Sequence, residues 1–369
     1  QVREIGRKYG REYYAKKAAA GESPEELWRE VAEHGFIGVN TPEEYGGGGL
    51  GISELAIVCE ELAAAGCPLL LLLVSPAICA TVIARFGTPA QTERWLPGLA
   101  SGKLTMAFAI TEPNAGSNSH RLETAAERDG DEWVLRGNKY YISGADDADA
   151  SLVVARTGGA QDGRGRLSLF IVDSDAPGLE KTLIKMQIPG ADRQFTLFFD
   201  DVRLAEDRLL GHEGQGLPQV FVGLNPERIL GAALANGAAI QAIEQASAYA
   251  NEREVWGRPI GTHQGIAHPL AQAKIEVELA RLMTMKAAWL FDQGNDAGEA
   301  ANMAKYAAGE AATHAVDVAI QVHGGNGMSE EYGLVSLWAM ARTLRIAPVS
   351  REMILNFVGQ HVLGLPKSY

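Results

Sequence analysis

The sequence is short of cysteine, of positive charge and of the usual nucleotide-binding signatures, and each shortage removes a class of protein. Only three cysteines occur in 369 residues: Cys59, Cys67 and Cys79. They have no CxxC spacing, and their odd number opposes a secreted disulfide framework. Buried, reduced thiols are expected, and with them an intracellular, cytoplasmic protein. Lys and Arg number 33 against 46 Asp and Glu, a net charge of −13. That excess opposes attraction to nucleic acid or to an anionic membrane surface. No G-x-G-x-x-G follows a strand pattern and no Walker A lysine is present, so any dinucleotide must be held by another arrangement. His263 and His268 precede Pro269 without a third convergent ligand, so no metal site is expected. No signal-peptide apolar region leads to a cleavage site. Gln1 opens into Val-Arg-Glu-Ile as if inside a helix, and the lack of an initial Met suggests a trimmed or incomplete chain.

One long hydrophobic run is present. From Leu62 to Ala84, between Glu61 and Arg85, there is no charge, and that length could span a bilayer. Pro68 and Pro76 interrupt it, and Ser75 and Thr81 sit inside it. A buried pair of shorter helices is therefore expected, and no membrane span. The length suits two or three domains with a core that needs no metal or disulfide.

The chain changes character twice. Residues 1–103 read as an N-terminal helical domain. Ser23 stands as an N-cap, with Pro24 at the first helical position before Glu25-Glu26-Leu27-Trp28. After the Gly46–Gly49 run, Ser53-Glu54-Leu55 starts another helix. Residues 104–212 carry short β-branched and aromatic runs: Leu104–Ile110, Glu132–Leu135, Lys139–Ile142, Ser151–Val154, Leu167–Val172 and Phe195–Phe199. Asp129-Gly130, Arg136-Gly137-Asn138 and Pro177-Gly178 punctuate them. This pattern predicts an antiparallel β domain, a barrel or sandwich. Residues 213–369 return to helix as a C-terminal four-helix bundle domain. Leu279, Leu282 and Trp289 recur there at helical spacing, as do Met303, Ala307, Ala311, Val318 and Val322. Abundant Ala permits close helix approach. The fold class is mainly α with a β domain between helical wings.

The sharpest stretch is Phe108-Ala-Ile-Thr-Glu-Pro-Asn-Ala-Gly-Ser117. A strand entering Glu-Pro and then a Gly-Ser turn offers backbone N–H groups and a hydroxyl to a flat heteroaromatic ring and its phosphates. Alone, it fits a plain strand-to-loop transition equally well.

Taken together, Phe86-Gly-Thr-Pro-Ala-Gln91, Leu96-Pro-Gly-Leu99, Ser101-Gly102 and Thr111-Glu-Pro-Asn-Ala-Gly-Ser117 resemble the acyl-CoA dehydrogenases in order and spacing. So do Gly137-Asn-Lys-Tyr-Tyr-Ile-Ser143, Phe199-Asp-Asp-Val202, Leu209-Leu-Gly211, Glu252-Arg253, Trp256-Gly257, Gln264 and Gly324-Gly-Asn-Gly327. The resemblance covers almost the whole chain. It implies a helical domain, a β domain and a four-helix domain, non-covalent FAD, and oxidation of an acyl-CoA thioester to the trans-2-enoyl-CoA. It also implies a homo-oligomer, a tetramer, that passes electrons to an electron-transferring flavoprotein.

By the same resemblance, Phe108, Ile110, Thr111, Gly116 and Ser117 line the cofactor. Tyr141, Ile142 and Ser143 stand where the family has Trp-Ile-Thr beside the isoalloxazine. Arg253 and Gln264 reach a neighbouring subunit's FAD diphosphate, and Gln321, Gly324 and Gly325 lie at its adenosine half. Ser350 and Glu352 map onto flavin-contacting positions, while Ser117, Asn225 and Arg228 face the substrate. Arg253 also fits a solvated helix-end charge, and Gly324-Gly325 a simple helix C-cap. Two stretches depart from the family pattern. Gly-Ser-Asp reads Gly116-Ser117-Asn118 and is followed by His120-Arg121, and Lys-Met-Gly reads Lys185-Met-Gln-Ile-Pro-Gly190.

The chemistry asks for a carboxylate base at the α-carbon, hydrogen bonds to the thioester carbonyl, and exclusion of water. In many members the base is the Glu of a Tyr-Glu-Gly-Thr turn, which falls here on Ala347-Pro348-Val349-Ser350. Pro348 can take no proton and donates no N–H. Isovaleryl- and long-chain-type members instead carry the Glu in a Leu-x-x-Glu-Arg pattern, and this sequence has Leu224-Asn-Pro-Glu227-Arg228. Glu227 is therefore the expected base. A helix start at Pro226 would also favour an acidic residue there through the helix dipole. If the helix from Glu227 to Arg253 is continuous, its ends lie roughly 39 Å apart at 1.5 Å per residue, too far for one flavin. A flavin oxidase or monooxygenase of the same superfamily, and a non-catalytic acyl-CoA-binding paralogue, are the alternative readings.

Overall fold

In this computed structural model, which describes residues 1–158, 166–188 and 190–367, the main sheet's strands lie between two helical stretches, and a two-stranded ribbon of Glu254–Val255 and Arg258–Pro259 interrupts the second. Pro189 of the Lys185–Gly190 stretch lies outside the described residues. The N-terminal part holds α1 (Val2–Ala20), α2 (Glu25–Glu33), α3 (Ile52–Ala64), a π-helical stretch Leu73–Ala80 continuing into α4 (Thr81–Phe86), and α5 (Pro89–Ala100). The strands follow: β1 (Met106–Ala109), β2 (Ala125–Asp129), β3 (Glu132–Ser143), β4 (Ala150–Arg156), β5 (Leu167–Asp173), β6 (Leu179–Ile184), β7 (Gln194–Ala205) and β8 (Leu209–Leu210). The C-terminal part holds α6 (Gly216–Glu252), α7 (Gln264–Asp292), α8 (Gly298–His323), α9 (Leu334–Ile346) and α10 (Arg351–Phe357). The chain divides into two compact units. One comprises residues 1–14, 52–69 and 228–369, the other 15–51 and 70–227.

The second unit contains the sheet, in the order β6-β7-β3-β2-β4-β5-β8, with β1 pairing parallel to β4. β2 also meets β4 in parallel, at Ala125 and Arg156. The sheet is therefore mixed rather than antiparallel, and it is open: among the described residues no pairing joins β6 to β8. Period and turn chemistry mark where strands exist, but closure depends on how the edge strands curve, which neither signal carries. β4 is buried from Ala150 to Ala155 because both its faces are covered. Leu152 and Val154 join one cluster with Met106, Phe108, Leu169, Ile171 and the helical Ile78, Ile83, Trp95 and Val220. Val153 and Ala155 join another with Trp133, Phe170, Phe195, Leu197 and Phe199.

Three local expectations are corrected in this unit. Glu132–Leu135 and Lys139–Ile142 belong to one strand, β3, because Gly137 bulges instead of turning the chain. Its φ is +134°, and a Cβ there would lie 2.7 Å from the Thr124 Cα, so the position requires glycine. Ser23 does not cap α2; its hydroxyl bonds the Asp147 carboxylate, and Pro24 takes the cap position. Pro68 falls in a break of the Leu62–Ala84 run, but Pro76 does not stop the second helix. The turn widens around it into π-helix, and the Pro76 carbonyl accepts from Asn40 Nδ2 at 3.0 Å and Thr81 Oγ1 at 3.4 Å. No described helix is long and apolar enough to cross a membrane.

In the first unit α7 packs on α8 and on α3, and α8 packs on α9. Asp292, the last residue of α7, caps α3, accepting from the Ile52 N–H at 2.7 Å and the Ser53 N–H at 2.9 Å. Cys59, Cys67 and Cys79 are all buried. α6 approaches α3 at Gly237, where a Cβ would meet the Glu60 carbonyl oxygen and Ala63 Cβ at 2.5 Å. Gly237→Val is expected to lower stability by about 1–3 kcal/mol, read as a lower denaturation midpoint with unchanged slope. An unchanged midpoint would mean that the helices part freely there. Leu279, Leu282 and Trp289, whose spacing reads as core, are 63%, 69% and 57% exposed on α7. Periodicity identifies a face and not what covers it.

Candidate active site

Two of the motif segments are joined by a buried ion pair. Glu112, just after β1, meets Lys139 of β3 at 2.8 Å, with both side chains almost wholly buried. Glu112 also accepts from the backbone N–H of Thr124 at 3.0 Å and of Glu123 at 2.5 Å. Lys139 donates in addition to the Ile110 carbonyl at 3.1 Å, and the Tyr140 N–H donates to the Thr111 carbonyl at 2.8 Å. Burial alone would raise the Glu112 carboxyl, but the Lys139 charge and the N–H donors outweigh it and hold the group below its ordinary value. For Lys139 burial wins, and the ammonium is pushed down to about 8 despite its carboxylate partner. Neither residue was singled out from the sequence. Their signal in the sequence is a Glu and a Lys of opposite charge, one in each of two separate motifs.

This clamp sets Ile110–Thr111 beside Tyr140–Ser143. The β3–β7 register shifts between Lys139 and Ile142, and Tyr141 takes a φ of 58° there. The irregularity turns the Tyr141 ring outward, half exposed, 4.4 Å from the Tyr140 ring. Ser143 Oγ bonds the Gln194 side chain at 3.0 Å. Phe108 and Ile142 bury their side chains in the sheet's two cores, so only their main chain can face a ligand. Gly116 and Ser117 are exposed, and the space around Gly116 is open. An outward aromatic face, strand-end main chain, and the Thr111 and Ser117 hydroxyls make a donor set that fits a flat, hydrogen-bonding ring such as an isoalloxazine.

α6 begins at Gly216, so Pro226 lies inside the helix and not at its start. The helix-dipole explanation for an acid at 227 is thereby removed. A Cβ on Gly223 would lie 2.8 Å from Val82 Cγ2 and 3.1 Å from Ile78 Cγ2, which fixes a close approach of α6 to α4 and the π-helical stretch that leads into it. Glu227 follows Gly223 by four residues and shares that face. It is half-buried, and after burial its charge is the second cause that raises the Cys79 thiol. Asn225 is half-buried.

The remaining expected residues lie in the first unit. Arg228 is buried. Arg253 follows the end of α6, which is continuous, and is exposed, as are Gln264 at the start of α7 and Gln321 in the last turn of α8. Gly324 caps α8 with a φ of 60°, and nothing stands within 4 Å of a Cβ at Gly324 or Gly325. Ser350 is the N-cap of α10, accepting from the Met353 N–H at 3.3 Å, and Glu352 is exposed in its first turn. Pro348 lies in the connection between α9 and α10. Beside it the Val349 carbonyl accepts from the buried ammonium of Lys305, a residue of the Ala-rich α8 that no motif marks.

Family models of acyl-CoA dehydrogenases match nearly the whole chain: the N-terminal domain over residues 1–103, the middle domain over 107–202 and the C-terminal domain over 214–363. The protein belongs to the acyl-CoA dehydrogenase family and is an oxidoreductase of that class. It is 58% identical over 363 residues to acyl-CoA dehydrogenase FadE12 of Mycobacterium tuberculosis, covering 98% of this chain and 94% of the relative. Its fold is similar to that of butyryl-CoA dehydrogenase from Megasphaera elsdenii, with a TM-score of 0.93, 30% identity and coverage of 98% and 96%. A glutaryl-CoA dehydrogenase solved with glutaryl-CoA gives a TM-score of 0.94, 33% identity and coverage of 100% and 94%.

Proposed function

We propose that the protein dehydrogenates an acyl-CoA thioester at its α and β carbons, giving the trans-2-enoyl-CoA, with Glu227 as the base. The observation that carries this reading is the placement of Glu227: half-buried inside α6, on the face held by Gly223, and close enough for its charge to act on the buried Cys79. FAD, when bound, would supply the acceptor for the hydride from the β-carbon. Glu227 would take the α-proton, and a carboxylate partly withdrawn from water is suited to that task. The Tyr141 face and the Ile110–Thr111 main chain would orient the ring, and Ser117 and Asn225 would meet the thioester arm. An electron-transferring flavoprotein is the proposed electron acceptor. Anaerobic titration of the yellow enzyme with a panel of acyl-CoAs tests the reading. Loss of flavin absorbance with at least one member is expected, and a flavin indifferent to all of them overturns it.

A homo-oligomer, a tetramer, belongs to the same proposal, supported by the uncovered α7 row of Ile275, Leu279, Leu282 and Trp289. Burying one such side chain contributes about 1.5–3 kcal/mol, so two carboxylates in the row should prevent association. Leu279→Asp with Leu282→Asp is expected to reduce the mass measured by light scattering. An unaltered mass would remove this face from the assembly.

A further inference from the structure

Ser143 ends β3 directly opposite Gln194, which starts β7. The Gln194 amide straddles the Ser143 hydroxyl, with Oε1 at 3.0 Å and Nε2 at 2.9 Å from Oγ. Nε2 also faces the Asp192 carbonyl at 3.3 Å, which only accepts, so the nitrogen and oxygen ends of the amide are fixed. The backbone beneath it is pinned as well. The Gly144 N–H donates to the Arg193 carbonyl at 2.8 Å, and the Leu70 N–H to the Asp192 carboxylate at 3.2 Å. Arg193 itself pairs with Asp146 and Asp147 and donates to the Gly21 carbonyl. In this setting the amide is held, and the moving part is the hydroxyl hydrogen. Turned toward Gln194, Ser143 donates to Oε1 and presents a lone pair outward. Turned away, it accepts from Nε2 and presents its O–H outward. A hydroxyl has one hydrogen and two lone pairs, and a partner with both a donor and an acceptor satisfies either setting.

We propose that Gln194 is a positioning residue for flavin reduction: its amide lets the Ser143 hydroxyl donate to the oxidised ring and accept from the reduced one. The inference rests on the acyl-CoA reading above, which sets Ser143 beside the isoalloxazine. In that reaction the α-proton passes to Glu227, the β-hydrogen leaves with its bonding pair for the flavin, and the substrate is left with a C=C bond. The ring nitrogen that takes the hydride changes from a hydrogen-bond acceptor to an N–H donor. Ser143 meets that change by rotating its hydrogen from the ring to Gln194 Oε1, with no charge moved and no backbone displaced. Without the amide oxygen, the hydroxyl hydrogen would lack an acceptor once the ring donates. An orphaned O–H in a part-buried site is costly. Gln194 therefore favours the reduced flavin.

Two measurements on the flavin-loaded enzyme test it. Redox-difference infrared spectra of the wild type carrying isotopically labelled glutamine should show a side-chain carbonyl band that falls in frequency on reduction. That band should be missing from Gln194→Met, which keeps the length and loses the amide. The reduction potential of Gln194→Met, read against a dye without acyl-CoA, should fall by about 30 mV. That is a tenfold shift of a two-electron equilibrium toward oxidised flavin, the scale of one hydrogen bond. In a Ser143→Ala background Gln194→Met should no longer move the potential, a result that a merely structural role would not give. The inference is overturned if the wild-type spectrum holds no glutamine carbonyl change, and the wild type decides this even where a variant fails to hold flavin. It is equally overturned if Gln194→Met shifts the equilibrium less than about twofold, or by the same amount with and without the Ser143 hydroxyl. Bleaching by an acyl-CoA with no glutamine band sinks the inference alone, whereas no bleaching by any acyl-CoA sinks the enzyme reading with it.

Discussion

Glu227→Gln is expected to lower turnover with the best acyl-CoA by about 10²–10⁴-fold, the usual contribution of a positioned base. The yellow colour and the affinity for substrate should survive. Gln keeps the size and the hydrogen-bonding reach of Glu but accepts no proton, so the loss should fall on kcat, with KM little changed. The same variant mixed anaerobically with acyl-CoA should leave the flavin absorbance intact on the timescale of wild-type bleaching. Gly223→Val provides the geometric control. Its added methyls would press on Ile78 and Val82 and push α6 outward, so turnover should fall although the carboxylate is still present. Turnover of Glu227→Gln within a few-fold of wild type would remove Glu227 from the role. The α-proton would then need another acceptor, and Pro348 can take no proton.

The sequence made the helix–sheet–helix order legible because turn residues and periodicity are local. It was less informative wherever a residue's meaning came from a distant contact. Gly137 sits between polar residues as turn glycines do, yet it serves a bulge because Thr124, just before β2, leaves no room for a Cβ. Pro226 looked like a helix start, and only the full extent of α6 shows it to be internal. Leu279 and Leu282 have core spacing on a face that the single chain leaves open. Ser350 matched a flavin-contacting position, while its hydroxyl caps α10. The motif residues around the sheet were readable as a set, but the clamp that aligns their two segments was not. An ion pair between residues 112 and 139 leaves no periodic trace.

That clamp carries the largest stability effect expected of a single side chain here. Lys139→Met would leave the Glu112 carboxylate buried with its two backbone donors and no counter-charge. Breaking a buried pair from one side typically costs about 3–5 kcal/mol, because the remaining ion keeps its desolvation penalty without the attraction that offset it. Denaturant unfolding should show that loss as a lower midpoint. Glu112→Gln should cost less, about 1–3 kcal/mol, since its carbonyl oxygen still accepts one of the N–H groups, and Lys139, which keeps the Ile110 carbonyl, can shed its proton once the carboxylate that holds the charge is gone. The coupling should also reach the cofactor. The clamp sets Thr111 beside Tyr140 and Tyr141, so Lys139→Met is expected to be purified with substoichiometric flavin even at temperatures where it stays folded, as judged by far-UV circular dichroism. A loss below about 1 kcal/mol with full flavin content would mean that water or a local shift compensates the carboxylate. In that case β1 and β3 would be aligned by their main-chain bonds alone, and the pair would be a consequence of the platform's geometry instead of its cause.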